Sequence, residues 1–139
     1  MTAVFDVDPQ LVRSVLMGHS RFADPFAEPN GYSILTEEGA AVDEAAAAHY
    51  LDKLREAVSR ADALVEGAFR PGFFDFYGVD RTKVSSPEEM CRRLVFDSFV
   101  LDVKNDSVGG CLSNERFMFG HYIECWWDRD WQVMYSLIC

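Results

Sequence analysis

Apolar residues recur along this chain with two different periods, and the change from one to the other divides it. Between about Ala41 and Phe69, the residues Ala47, Tyr50, Leu51, Leu54, Val58, Ala61, Leu64, Val65, Ala68 and Phe69 return at three- and four-residue steps. Asp52, Lys53, Arg55, Glu56, Arg60 and Glu66 fall elsewhere on the cylinder. That spacing predicts one long amphipathic helix whose apolar stripe is core, with Glu56 and Arg60 as an i,i+4 pair. Arg70-Pro71-Gly72 stops it. From Val95 the period falls to two. Val95, Phe99, Leu101 and Val103 are expected on one face of a strand, and Ser98 and Asp102 on the other. Phe117–Trp127 and Trp131–Ile138 are read as two further strands, joined by an Asp128-Arg129-Asp130 hairpin. Asn105-Asp106 and Gly109-Gly110 are read as turns around a short piece at Val108.

Shorter signals fill the rest. Asp8-Pro9 starts a helix that Gly18 ends, with Asp8 as the cap and Pro9 at the first helical position. Pro25, Pro29 and Asn30-Gly31 mark a loop that leads into an extended Tyr32–Thr36. Phe73–Tyr77 is an aromatic segment expected to pack under the long helix. Ser86-Pro87-Glu88-Glu89 combines an N-cap, a first-position proline and a capping-box glutamate, and Arg92 and Arg93 suit the negative end of the short helix that follows. The fold class is therefore α+β, with a long amphipathic helix and shorter helices packed on a C-terminal antiparallel meander sheet. One domain is expected over 1–139: an N-terminal helix and loop in 1–40, a helical part in 41–94 and the sheet in 95–139.

Composition narrows the function classes. With 139 residues, 49% of them hydrophobic, the chain is of single-domain size and rich enough in apolar side chains to build a core, which excludes disorder as its main state. The net charge is −10. Clustered Lys and Arg, which binding to nucleic acid or to an anionic membrane requires, are missing from this balance. The acid is concentrated at the ends: residues 1–50 carry −6, residues 51–104 carry −1 and residues 105–139 carry −3. Such a surface keeps a protein soluble and steers it toward a basic partner. The first residues show neither a basic nor an apolar leader segment, and no apolar run reaches the ~18 residues of a membrane span; a cytoplasmic protein is expected. Cys91, Cys111, Cys125 and Cys139 are too widely spaced for a disulfide framework or a zinc site and are read as free thiols.

The second half resembles a family of small bacterial proteins of unknown function, the DUF2262-like group. The resemblance lies in the order of parts over roughly residues 45–139. A long amphipathic helix is followed by a capped helix entering a strand (Ser86-Pro-Glu-Glu-Met-Cys-Arg-Arg-Leu-Val-Phe-Asp-Ser-Phe), and then by Phe117-Met-Phe-Gly-His-Tyr-Ile-Glu124, similar to a family strand of the form F-x-G-H-x-I. Where the family continues into a glycine-rich hairpin, this chain has Trp126-Trp127-Asp-Arg-Asp-Trp131. Some such domains are encoded beside toxins and look like immunity proteins. The resemblance thus implies a neutralising binder and no catalytic residues.

Candidate chemistry is sparse. In a strand, His121, Ile123 and Cys125 would share one face and Tyr122, Glu124 and Trp126 the other. His121 with Cys125 could form a nucleophilic pair or part of a metal site, and a small-ligand or metal-binding protein centred on His121, Glu124 and Cys125 is one alternative reading. A histidine held by a backbone or carboxylate bond after Gly120 accounts for the same residues. Asp97 and Asp102, an odd step apart, are expected on opposite strand faces. Neither a phosphate loop nor a GxSxG motif is present, so no enzyme activity and no cofactor are expected.

The aromatic C-terminus carries more. Trp126 and Trp127 cannot both enter one core, because consecutive strand residues point opposite ways. A tryptophan exposed beside Asp128 and Asp130 would suit an interface with a basic protein. The expectation is a small acidic binding protein, of the immunity type, occluding the active site of a basic toxin or effector. Its contacts are expected at Glu124, Trp127, Asp128, Asp130 and Trp131, with Glu37 and Glu38 in addition. Cover by the N-terminal segment, or burial in an obligate homodimer of structural role, would explain the same tryptophan.

Overall fold

The computed structural model describes Gln10, Arg13, residues 22–23 and 33–36, and residues 42–139. A six-stranded sheet runs in sequence order: β1 (Phe22–Ala23), β2 (Ser33–Thr36), β3 (Val95–Asp102), β4 (Ser107–Ser113), β5 (Ile123–Trp127) and β6 (Val133–Ile138). β1 pairs antiparallel with β2, and β3 to β6 form an antiparallel meander. β2 joins it parallel to β3, Ser33 opposite Ser98 and Thr36 opposite Leu101. A parallel neighbour needs a long crossover, and the helices supply it: α1 (Glu44–Ser59), α2 (Ala61–Ala68), a 3-10 turn (Pro71–Asp75) and α3 (Pro87–Arg93). The protein is thus α+β, with its helices packed on a C-terminal meander. The helix expected after Asp8 falls almost wholly outside the described residues, although Gln10 and Arg13 are helical and Arg13 pairs with Glu44 at 3.2 Å.

The long helical stripe is real but interrupted. Asp43 caps α1 by accepting from the Ala46 amide at 2.9 Å, and Ala47, Tyr50, Leu51, Leu54 and Ala57 are buried along it. At Ser59 the hydroxyl donates to the Glu56 carbonyl at 2.8 Å, a back-bond that competes with the helical ladder and bends it. Arg60 then leaves helical geometry (φ −102°, ψ 10°), and α2 restarts with Ala61, Leu64, Val65 and Ala68 on the same buried face. The α3 cap is as expected at Ser86, whose hydroxyl accepts from the Glu89 amide at 3.1 Å. The Glu89 carboxylate reaches one residue further back than a capping box would, to the amide and hydroxyl of Ser85.

One apolar cluster joins helices and sheet. The sheet contributes Phe96, Phe99 and Leu101 from β3, Val108 and Leu112 from β4, and Ile123, Cys125 and Trp127 from β5. Three strand readings need correction. A β-bulge between Phe96 and Ser98 reverses the alternation, so that Phe96 is buried and Val95 is 56% exposed. The same extra residue brings Asp97 to the outer face, where it accepts from the Ser113 hydroxyl at 2.7 Å; Asp97 and Asp102 therefore share a face. Gly109-Gly110 is not a turn but the middle of β4. The strand expected from Phe117 begins only at Ile123. Phe117 and Met118, adjacent in sequence, are both buried, which a strand covered on one face cannot achieve. Asn114 instead organises a turn, its side chain accepting from Arg116 and its carbonyl from Met118.

Candidate protein-binding face

The outer sheet face is assembled from alternate residues of three strands. On β5, Glu124 and Trp126 point away from the helices, in line with Tyr122 just before the strand. Register places Glu124 between Cys111 on β4 and Leu137 on β6, and Trp126 between Gly109 and Tyr135. Tyr122, Tyr135 and Leu137 are each 40–44% exposed, and the Tyr135 hydroxyl donates to Glu124 at 3.3 Å. Trp126 is half-buried because it lies across Gly109: a Cβ there would stand 2.7 Å from the indole Cε2. The face around Glu124 is therefore apolar and aromatic, with Asp97 and Asp102 on β3 further along the same side of the sheet. The Tyr122 hydroxyl is held above its usual range chiefly by neighbouring Cys139.

Trp127, expected as a contact residue, is instead fully buried. It pairs with Val108, shares the parity of Ile123 and Cys125, and packs over Gly110 beside Phe96. The tryptophan on the outer face is Trp126. Asp128 is half-buried and its carboxylate is engaged in the hairpin, accepting from the Asp130 and Gln132 amides at 2.9 and 3.0 Å. Asp130 is exposed at the tip. Trp131 turns toward the helices: with a left-handed φ of 63°, it lays its ring under Lys53 Nζ at 4.9 Å and near Arg60 at 5.9 Å. Lys53 also donates to the Arg129 carbonyl at 2.6 Å. The hairpin is thereby fastened to α1, and Trp131 belongs to that joint and not to the face around Glu124. Glu37 and Glu38 lie outside the described residues. The structure thus brings only Glu124 of the expected contacts onto this face; Tyr122, Trp126, Tyr135 and Leu137 complete it.

His121, Glu124 and Cys125 do not converge. The His121 ring stands edge-on to Phe76 and Tyr77, with centroids 5.2 and 5.6 Å away, and fills the space a side chain at Gly78 would need. Its Nδ1 donates to the Cys139 carbonyl at 3.1 Å, and Gly120 before it takes a left-handed φ of 78°. Cys125 points into the core, where burial pushes its thiol far up and its sulfur donates to the Gly110 carbonyl at 3.4 Å. Glu124 points to the opposite side. Among the described residues, no three His, Cys, Asp or Glu side chains are grouped to hold a metal ion.

Two other features were not legible beforehand. A cleft of about 270 Å³ between α2 and α3 is lined by Asp62, Val65, Glu66, Cys91, Arg92, Leu94 and Val95; burial and then Glu66 push the Cys91 thiol up, which keeps it protonated. At the end of the sheet, Asp106 (φ 49°) lies 3.6 Å from His49 Nε2 and 3.8 Å from Arg129 Nε, tying the β3–β4 turn to α1 and the hairpin.

No family model matches this chain, and neither a curated protein nor a solved structure matches it. No helix among the described residues is long and apolar enough to cross a membrane.

Proposed function

We propose that this is a small cytoplasmic binding protein of the immunity type, which neutralises a basic protein toxin or effector by lying across its active site. The observation that carries the reading is the outer sheet face, where Tyr122, Trp126, Tyr135 and Leu137 surround Glu124 on a chain of net charge −10. Aromatic side chains bury a large area at little conformational cost, and they dominate the energetics of protein interfaces. The acidic surface raises the encounter rate with a cationic partner and selects against anionic ones. Four strands hydrogen-bonded in register hold these side chains on a rigid support, so little ordering has to be supplied on binding.

Occlusion needs no chemistry from the binder. The carboxylate at the centre of the face would take the place of an anionic substrate in a basic cleft, and Trp126 would anchor it. The test is to titrate the purified protein into the partner retained by salt-sensitive affinity capture from the native host. One equivalent should abolish the partner's activity, and Glu124→Lys should prevent this. Full inhibition by Glu124→Lys, or none by the wild type, would contradict the proposal.

A further inference from the structure

The strands of the meander carry charge of one sign only. β3, β4, β5 and β6 contain Asp97, Asp102 and Glu124, and neither lysine nor arginine at any position. Glu124 accepts from the Tyr135 hydroxyl at 3.3 Å and forms no ion pair among the described residues. Two residues along the same strand face, about 7 Å away, lies Trp126. Its Cδ2, Cε2 and Cζ2 would all stand 2.7–2.8 Å from a Cβ on Gly109. A point beside the ring edge would be much closer to the middle atom of the three, so the glycine lies beneath the ring. The indole covers Gly109 with one flat side and turns the other outward. The other half-buried indole, Trp131, already carries Lys53 at 4.9 Å and Arg60 at 5.9 Å. Trp126 carries no cation among the described residues.

We infer that this face takes one arginine side chain of a protein partner, with its guanidinium stacked on Trp126 and hydrogen-bonded to Glu124. This rests on the binding reading above and names the group that is recognised. Charge complementarity calls for a cation, because no basic side chain of the meander strands neutralises Glu124. The shape of the site selects which cation. A guanidinium is planar, so when it lies on an indole its N–H donors stay in its own plane, directed sideways at a carboxylate. Two of them make a bidentate, charge-assisted pair. An ammonium is a compact, strongly hydrated point charge. Over the ring it is out of line with Glu124, and against Glu124 it leaves the indole uncovered. The Tyr135 bond holds the carboxylate and Gly109 seats the ring before binding, so little beyond the partner's own side chain has to be ordered. Tyr122, 40% exposed on the far side of Glu124, excludes water from the pair once the partner is seated.

Fluorescent hexa-arginine and hexa-lysine peptides of equal charge stand in for the partner, and anisotropy at fixed salt gives their affinities. The acidic surface attracts both, so the ratio between them is the readout. Wild type should bind hexa-arginine about tenfold more tightly. Trp126→Leu should bring the ratio close to one. So should Glu124→Gln, which keeps the shape of the side chain and decides the matter if the tryptophan variant does not fold. Asp52→Asn removes the same charge from the exposed surface of α1 and should weaken both peptides alike, leaving the ratio unchanged. Equal affinities in the wild type overturn the inference, and so does an arginine preference that survives in both Trp126→Leu and Glu124→Gln. The result is separable from that of affinity capture. A basic partner captured from the host, together with equal peptide affinities, removes this inference alone. An arginine preference that depends on Trp126 and Glu124, with no partner captured, upholds the site and removes the immunity reading.

Discussion

Trp126 lies across Gly109, its indole Cε2 only 2.7 Å from where a side chain at that glycine would begin. The two are register partners on β5 and β4. The next glycine does the same on the other side of the sheet: a Cβ on Gly110 would meet Phe96 at 2.6 Å and Trp127 at 3.3 Å. Adjacent glycines thus seat adjacent tryptophans on opposite faces, one for the surface and one for the core.

Alanine at each glycine should separate the two roles. Gly109→Ala pushes on a half-exposed indole that can swing outward, and should cost about 1 kcal/mol while shifting tryptophan emission to the red. Gly110→Ala pushes on rings locked in the core, where overpacking costs about 1–3 kcal/mol. Chemical denaturation of the two variants checks the order, and equal losses would mean that both seats are equally rigid.

The tryptophans themselves should part in the same way. Trp127→Ala empties a fully buried site and should lose about 3–5 kcal/mol of stability. Trp126→Ala should lose much less stability but most of the affinity for a partner. The comparison needs thermal melts and a binding assay on the same preparations.

The α3 cap predicts an acid-sensitive step. Hydrogen bonds from Ser85, then the Arg93 guanidinium, hold the Glu89 carboxyl below its ordinary value near 4.5. A depressed folded-state pKa contributes stability that is present above the unfolded value and is lost as pH falls through the folded one. Ser85→Ala should therefore raise the Glu89 pKa in an NMR titration and flatten the stability gained between pH 3 and 5 (values spanning the usual carboxylate range of about 4). A Glu89 that titrates unchanged in Ser85→Ala would show that the hydroxyl is not its main partner.

Thiol reactivity should follow position in the fold. Cys139 is exposed, whereas Cys125 is buried with its thiol pushed up by desolvation. Brief alkylation of the native protein should label the exposed Cys139 first. Cys125 should react only once denaturant is added, and peptide mapping reads both.

Much of this architecture was written in local patterns. The helical stripe from Ala47 to Phe69, the Ser86 cap and the opposed tryptophans each depend on side chains within a few residues of one another, where spacing alone decides direction. What failed was non-local. The Gly109-Gly110 pair reads as a turn until the tryptophans opposite are known to need the space, and nothing near β4 in sequence announces them. The bulge at Asp97 inserts one residue and reverses Val95 and Phe96, a change invisible to strict alternation. For the tryptophans the signal lies in the sequence itself, since Glu124 shares parity with Trp126 and a carboxylate marks the wet side of a strand. Trp131 could not be placed from sequence, because Lys53 and Arg60, which hold its ring, come from a helix far away along the chain.

The outer face around Trp126 and Glu124 is the centre of this account, and a paired affinity capture from the native host tests it most directly. Wild type and the Trp126→Ala, Glu124→Lys double variant would be immobilised side by side, confirmed as folded, and washed at low and then high salt. The account predicts a single basic protein that is retained by the wild type, released as salt rises and absent from the variant. Equal retention of that protein by both, with the same salt dependence, would contradict it.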